Sequence, residues 1–316
     1  MKNILFLAIA CGFLLALPIE RASAQTEDSP ALPLYAPKDN PWANLHGFDD
    51  LFSNDIFTGE MRFEVPFPLL PGRNNVTPEL MLTYSSFKKD FLSPYGYGWD
   101  LSVSSIFRTS RKGVSAMYVN NEFGARIAGT YNELTLVDAS SGLYMGKFGN
   151  DFTKYFFEGN QWRVQDTKGV TYYFGAVDSS RQDDPHDTSR VFQWMLTKRE
   201  DSNGNKIEYT YFKDQGQIYL DAIEYVFNDM QSLYRVDFEY MTKSNSAKSY
   251  QTGFAVATNF LLWHIKLQKF EGSWTTMRQY ELSYDNRNAA TSQLIEITTQ
   301  AGATTLRPLQ FTYYAQ

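Results

Sequence analysis

Cysteine and histidine are scarce in this chain: 316 residues hold one Cys, Cys11, and three His, at 46, 186 and 264. A single cysteine excludes an internal disulfide, so packing must stabilise the fold. Basic residues are in the minority, 29 against 35 acidic, for a formal net charge of −6. That balance argues against a nucleic-acid binder or a partner of anionic lipid, both of which need a basic face. Long apolar runs are missing except for Ile4 to Leu17, shorter than the roughly 20 residues that span a bilayer. Lys2 before that run, Pro18 after it and Ala22-Ser23-Ala24 beyond give it the layout of a secretory signal. The expected mature chain starts at Gln25, in an extracellular or periplasmic setting, with no cysteine left. Acylation at Cys11 would leave too short an apolar stretch before it. No Gly-x-Ser-x-Gly elbow and no His-Glu-x-x-His stretch occurs.

Aromatic residues are plentiful: 24 Phe, 21 Tyr and 6 Trp, in a chain of negative mean hydropathy. Amphipathic rings among β-branched and polar neighbours suit half-buried pleated surfaces. Residues 25–46, with Pro30, Pro33, Pro37 and Pro41, read as an extended arm. From Gly47 onward short period-two runs alternate with Gly, Asn, Asp and Pro, which predicts an all-β fold over 47–316. It would consist mainly of antiparallel hairpins in a large curved sheet or partial β-shell, with few helices. The best helical candidate, Thr252 to Lys269, lacks a cap and reads as loop then strand.

Met61, Phe63, Val65 and Phe67 alternate with polar residues, and Leu80, Leu82 and Tyr84 do so after Pro71-Gly72. Prolines 66, 68 and 78 should bound these two strands, and Gly72 should allow a strained φ at the corner between them. Two hairpins are expected: Tyr155-Phe156-Phe157 with Trp162-Arg163-Val164 across Gly159-Asn160, and Trp194-Met195-Leu196 with Ile207-Glu208-Tyr209 across Ser202 to Asn205. A weak repeat follows. Tyr209-Thr-Tyr211 precedes Leu220-Asp-Ala-Ile223, Phe238-Glu-Tyr240 precedes Leu262-Trp-His-Ile265, and Leu282-Ser-Tyr284 precedes Leu294-Ile-Glu-Ile297; Phe311-Thr-Tyr313 starts a further unit. Unequal spacing excludes a regular solenoid but suits successive hairpins added to one sheet.

The ordered stretches FTGEMRFEVPFPLLPGRNNVTPELMLTYSS, YGYGWDLSVSSIFR, WMLTKREDSNGNKIEYTY and YELSYDNRN with SQLIEITT and RPLQFTYY resemble the SpvB-like domain family. That domain forms the amino-terminal part of the Salmonella virulence plasmid B protein and of insecticidal toxin-complex B components, and it is related to Rhs/YD-repeat shells. The resemblance covers Gly47 to Tyr314. It implies a secreted, noncatalytic scaffold or shell domain that encloses or partners a toxin component, with a protein partner of the toxin-complex or Rhs type. The Ser-Thr-Ser and Glu-x-Glu features of the larger relative's ADP-ribosyltransferase domain do not occur in this sequence.

No catalytic, cofactor-binding or metal-binding residue is assigned. Asp183, Asp184, His186 and Asp187 could offer calcium ligands, but without a recognised spacing they read as a solvated acidic loop. His46 falls in the arm, and His264 follows Trp263 in an expected strand. Gly142 to Phe148 has too short a spacing for a phosphate loop, and no Ser or Thr follows Lys147. Asn75-Val76-Thr77 fits the glycan acceptor rule, but Pro78 follows and the segment reads as a turn. In Tyr95-Gly96-Tyr97-Gly98-Trp99 the glycines should permit close backbone approach while Trp99 fills the core. Two other readings stay open: a surface adhesin or glycan binder using Trp99 or Trp162, and an enzyme with His186 or His264 beside Ser and Asp.

Overall fold

Alternation of large apolar and polar side chains sorts each strand into a wet and a dry face, and the dry faces must meet. The computed structural model describes residues 52–54, 59–88, 93–148, 152–285 and 291–313, all within the compact unit Asn40–Gln316. The leader, His46 and the Pro-rich arm lie outside the described residues. Strands β1 (Phe52–Asn54), β2 (Met61–Pro66), β3 (Met81–Ser85) and β4 (Trp99–Leu101) form an antiparallel sheet in that order. Phe63 sits opposite Tyr84 and Val65 opposite Leu82, which sends Phe63, Val65 and Leu82 to one buried face. Strand β2 ends at Pro66, which has no amide to donate.

The corner between β2 and β3 needs its glycine for a different reason from the one expected. Gly72 has φ −78°, an ordinary value. A Cβ there would lie 1.9 Å from the Val76 carbonyl oxygen, because the chain folds back on itself with the Gly72 amide donating to Thr77 Oγ1 at 2.7 Å. The left-handed turn is taken by Asn74 and Asn75, at φ 54° and 61°, residues that tolerate that region.

Nine strands follow: β5 (Ser105–Arg108), β6 (Phe123–Ile127), β7 (Thr130–Asp138), β8 (Leu143–Gly146), β9 (Lys154–Glu158), β10 (Gln161–Gln165), β11 (Thr171–Phe174), β12 (Arg181–Asp184) and β13 (Asp187–Glu200). Strands β5 to β11 meander in sequence order, and β13 then closes the ring. Its later residues pair with β11 (Leu196 opposite Phe174) and its middle pairs with β5 (Met195 opposite Ser105). Aromatic side chains fill this barrel edge to face, with Phe123 and Trp162 centroids 4.9 Å apart and Trp162 and Trp194 6.1 Å apart. The Gly159-Asn160 hairpin forms as expected, both residues at positive φ, with Tyr155 opposite Val164.

Strand β13 also opens a second sheet. It pairs with β14 (Lys206–Asp214), and the chain continues through β15 (Gln217–Asn228), β16 (Gln231–Ser249), β17 (Val256–Phe270), β18 (Trp274–Asp285) and β19 (Gln293–Ala301), bordered by β20 (Thr304–Thr305) and β21 (Leu309–Gln310). The β13–β14 hairpin exists in a register other than the expected one: Ile207 faces Arg199 and Glu208 faces Lys198. Trp194 to Leu196 pair with β5, β11 and β12 instead. The loop is not a primed turn; of Asn203 and Gly204 only Gly204 has positive φ, and Asp201 organises it by accepting the amides of Asn203 and Asn205. Residues Thr252 to Lys269 are loop then strand, as read. Among the described residues there is no α-helix, only 3-10 turns at Arg73–Asn75, Val114–Ala116 and Asp178–Ser180.

The sheet β1–β4 packs its dry face on the second sheet, the meander β14–β19, and the segment after it, where Phe67 meets Tyr280 at 4.8 Å and Trp99 meets Phe311 at 4.9 Å. The turn joining β16 to β17 reaches back to the barrel: Tyr118 Oη donates to the Thr252 carbonyl and Arg190 Nη2 to that of Gly253. A Gly72→Ala variant is expected to lose about 2–4 kcal/mol of stability through the backbone clash, whereas Asn75→Gly should stay within about 0.5 kcal/mol. Urea unfolding of both measures the difference.

Candidate functional site

The three repeat units become three hairpins with one shared register. Tyr209 faces Ile223 and Tyr211 faces Leu220; Phe238 faces Ile265 and Tyr240 faces Leu262; Leu282 faces Ile297 and Tyr284 faces Leu294. In each, the register slips by one residue on the returning strand, leaving Asp221, Trp263 or Ile295 as the extra residue of a bulge. The β11–β13 pair has the same slip at Thr197. Such a bulge interrupts the ladder locally.

A phenol from the chain that follows, on the next strand for Tyr211, Tyr240 and Tyr284 and just past β21 for Tyr313, caps the leucine carbonyl beside each bulge. Tyr211 donates to Leu196 O at 2.6 Å, Tyr240 to Leu220 O at 2.8 Å, Tyr284 to Leu262 O at 2.8 Å and Tyr313 to Leu294 O at 2.7 Å. Four staples thus fix neighbouring strands in one alignment, because a one-residue slip would remove the acceptor and turn the apolar face outward. Burial pushes the Tyr211, Tyr240 and Tyr284 phenols well above their ordinary value. They are neutral donors, as the geometry requires.

The Tyr95–Trp99 segment seals the two sheets together. Gly96 has φ 103°, and a Cβ on it would lie 3.2 Å from the Tyr284 ring and 3.3 Å from the Leu294 amide. The Pro94 carbonyl accepts from Leu262 N and the Ser292 carbonyl from Tyr97 N, both at 2.8 Å. Trp99 is buried, and its Nε1 donates to Tyr313 Oη at 2.8 Å. Trp162 is buried in the barrel. Neither tryptophan offers a platform to a sugar, which removes the residues on which the adhesin reading stood.

The other expected positions are structural too. Asp183 and Asp184 are not a solvated loop; both are buried in β12, Asp183 facing Lys213 at 2.8 Å and Asp184 facing Arg190 at 2.8 Å. Asp187 accepts from Ser189, and His186 is exposed with its amide on Asp184. Among the described residues no group of three or more His, Cys, Asp or Glu is arranged to hold a metal. His264 is buried, stacked on Trp263 at 3.8 Å with Nδ1 2.8 Å from Glu239, which also pairs with Lys266. That is a hydrogen-bonded row across β16 and β17, and among the described residues the ring has no serine partner. Gly142 to Phe148 contains β8, with Lys147 on Glu133 at 3.0 Å. Asn75 to Thr77 belong to the corner described above. The repeat was visible in the sequence; the bulges and the phenol acceptors were not, since neither leaves a mark in composition or period.

Residues 55–131 and 152–263, well over half of the chain, match the family model described as Salmonella virulence plasmid 65kDa B protein. The mono(ADP-ribosyl)transferases SpvB of Salmonella choleraesuis and Salmonella typhimurium are each 25% identical over an alignment covering 48% of this chain and 29% of theirs. The chain therefore matches less than a third of the length of these relatives. The N-terminal domain of effector protein SpvB from Salmonella typhimurium strain LT2 superposes with TM-score 0.62 and 19% identity over 75% of this chain and 99% of that domain. TcdB2-TccC3 superposes with TM-score 0.70 and 19% identity over 83% of this chain and 16% of that one. The Photorhabdus luminescens Tc holotoxin pore gives 0.67 and 19% over 81% and 16%. These likenesses are of fold.

Removing one staple should be felt locally and strongly. Tyr284→Phe leaves the Leu262 carbonyl without its donor and is expected to cost about 1–3 kcal/mol, against less than about 0.5 kcal/mol for the exposed Tyr250→Phe. Phenols raised in the folded state ionise first in the unfolded chain. Stability should therefore hold up to the ordinary phenol value of 10.0 and fall above it, through the range where Tyr219, pushed up to about 12, also ionises. Urea midpoints between pH 8 and pH 12 check both statements.

Proposed function

The chain belongs to the Salmonella virulence plasmid 65kDa B protein family, and on that footing we propose that it is a secreted, noncatalytic wall domain of a toxin-complex or Rhs-like system that encloses or partners a toxin component. The observation that carries this reading is the row of staples. A sheet that gains hairpins by repeating one Tyr-to-Leu contact can widen without a change of fold, which suits a wall. Its inner face is consumed by packing against β1–β4, and its phenols are held neutral and buried. A protein partner is favoured by the fold likeness to a chain solved as TcdB2-TccC3 and TcdB2-TccC3-Cdc42. ADP-ribosyl transfer is an activity named for the longer relatives, and the structural likeness is to an N-terminal domain; the reading here leaves it with the rest of those chains.

The test is to mix the mature protein at about 10 µM with a TccC3-type subunit and to follow elution by light scattering and the protease resistance of the subunit. Co-elution with slower digestion is expected. Separate elution with unchanged digestion, or hydrolysis of NAD by the purified chain alone, would overturn the proposal.

A further inference from the structure

The outer, polar face of β2–β4 does not lie open. With the β6–β7 turn it forms a groove of about 360 Å³, within the roughly 300–1,000 Å³ range of small-molecule sites. Three acids, Glu60, Glu64 and Asp100, and three bases, Arg62, Lys88 and Arg126, line it. Five of them form donor and acceptor pairs: Lys88 lies 2.7 Å and Arg126 3.8 Å from Asp100 Oδ2, Arg62 lies 3.1 Å from Glu60, and Ser85 Oγ donates to Glu60 Oε1 at 2.5 Å. The pairing holds the side chains in place, so a ligand would meet groups already ordered.

An aromatic ring completes the groove. Tyr131 is 48% exposed yet fixed. Its ring stacks on Phe107, centroids 6.2 Å apart at 26°, and lies over Gly124, where a Cβ would come within 2.9 Å of it. A rigid, half-exposed ring beside rows of alternating donors and acceptors matches a molecule with one apolar C–H face and a rim of hydroxyls. The equal count of acids and bases disfavours a phosphate or a cation, each of which needs an excess of opposite charge. We propose that this groove is a subsite for a neutral pyranose sugar, with Tyr131 as the stacking platform and Asp100, held by Lys88, as the hydroxyl acceptor. It is separate from the wall role, since none of these side chains belongs to the staples.

Saturation-transfer NMR with the methyl pyranosides of glucose, galactose, mannose and N-acetylglucosamine, each at about 5 mM, tests it; sugar affinities near the millimolar range suit the method. Transfer to ring C–H protons of at least one sugar is expected, retained in Tyr131→Phe and in Tyr250→Ala, and at least tenfold weaker in Tyr131→Ala and in Asp100→Asn. A melting curve for each variant separates lost binding from lost fold, and Asp100→Asn, which keeps the size of the side chain, keeps the question answerable if Tyr131→Ala unfolds. No transfer from any of the four sugars would overturn the proposal. So would transfer that survives both weakening substitutions, or a stronger response to trialanine or inorganic phosphate than to the sugars.

Discussion

Everything in the meander depends on a hydrogen bond from a buried phenol to a backbone carbonyl beside a bulge. A bulge disturbs the ladder and gives the strand its bend, and a carbonyl left dry at that point would cost more than the bond normally returns. Tyr211, Tyr240 and Tyr284 meet that need from the next strand, and Tyr313 from the segment just past β21. The same contact bends the sheet, sets its register and keeps the rings inside. This explains why the repeat tolerates connections of different length: the spacing between units is free, and the place where each ring lands is not.

How much of this was legible follows from range. Alternation along β2 and β3, the Gly159-Asn160 turn and the Tyr-to-Leu repeat are local patterns, and the strands formed where those patterns lay. The β13–β14 register was not legible, because Trp194 to Leu196 are claimed by β5 and β11, which are distant in sequence. Closure of the barrel belongs to the same class; nothing near Ser105 announces a partner at Met195. Gly72 shows a finer limit, since the residue was marked by its neighbours but its reason, a carbonyl at 1.9 Å from where a side chain would start, exists only in three dimensions.

The functional residues divide in the same way. Trp99 and Trp162, singled out in the sequence as possible sugar platforms, are both buried within cores. Tyr131 is unremarkable in the sequence, and only the fold sets it beside Asp100 and Arg126 at the edge of a groove. The acidic run at Asp183 and Asp184 likewise turns from a loop into a pair of salt-bridged strand residues once Lys213 and Arg190 arrive from elsewhere. Clusters of charge in the sequence thus gave the structure its internal ties, and a scattered set of six gave it a lined recess.

Strand β13 is a wall of the barrel and the first strand of the meander at once, and the β16–β17 turn returns to grip the barrel at Tyr118 and Arg190. The two cores are thus tied at two separate points. A load applied to the sheet would be carried into the barrel as shear along one fourteen-residue strand, so within the unit Asn40–Gln316 the two cores should resist being pulled apart together rather than one after the other.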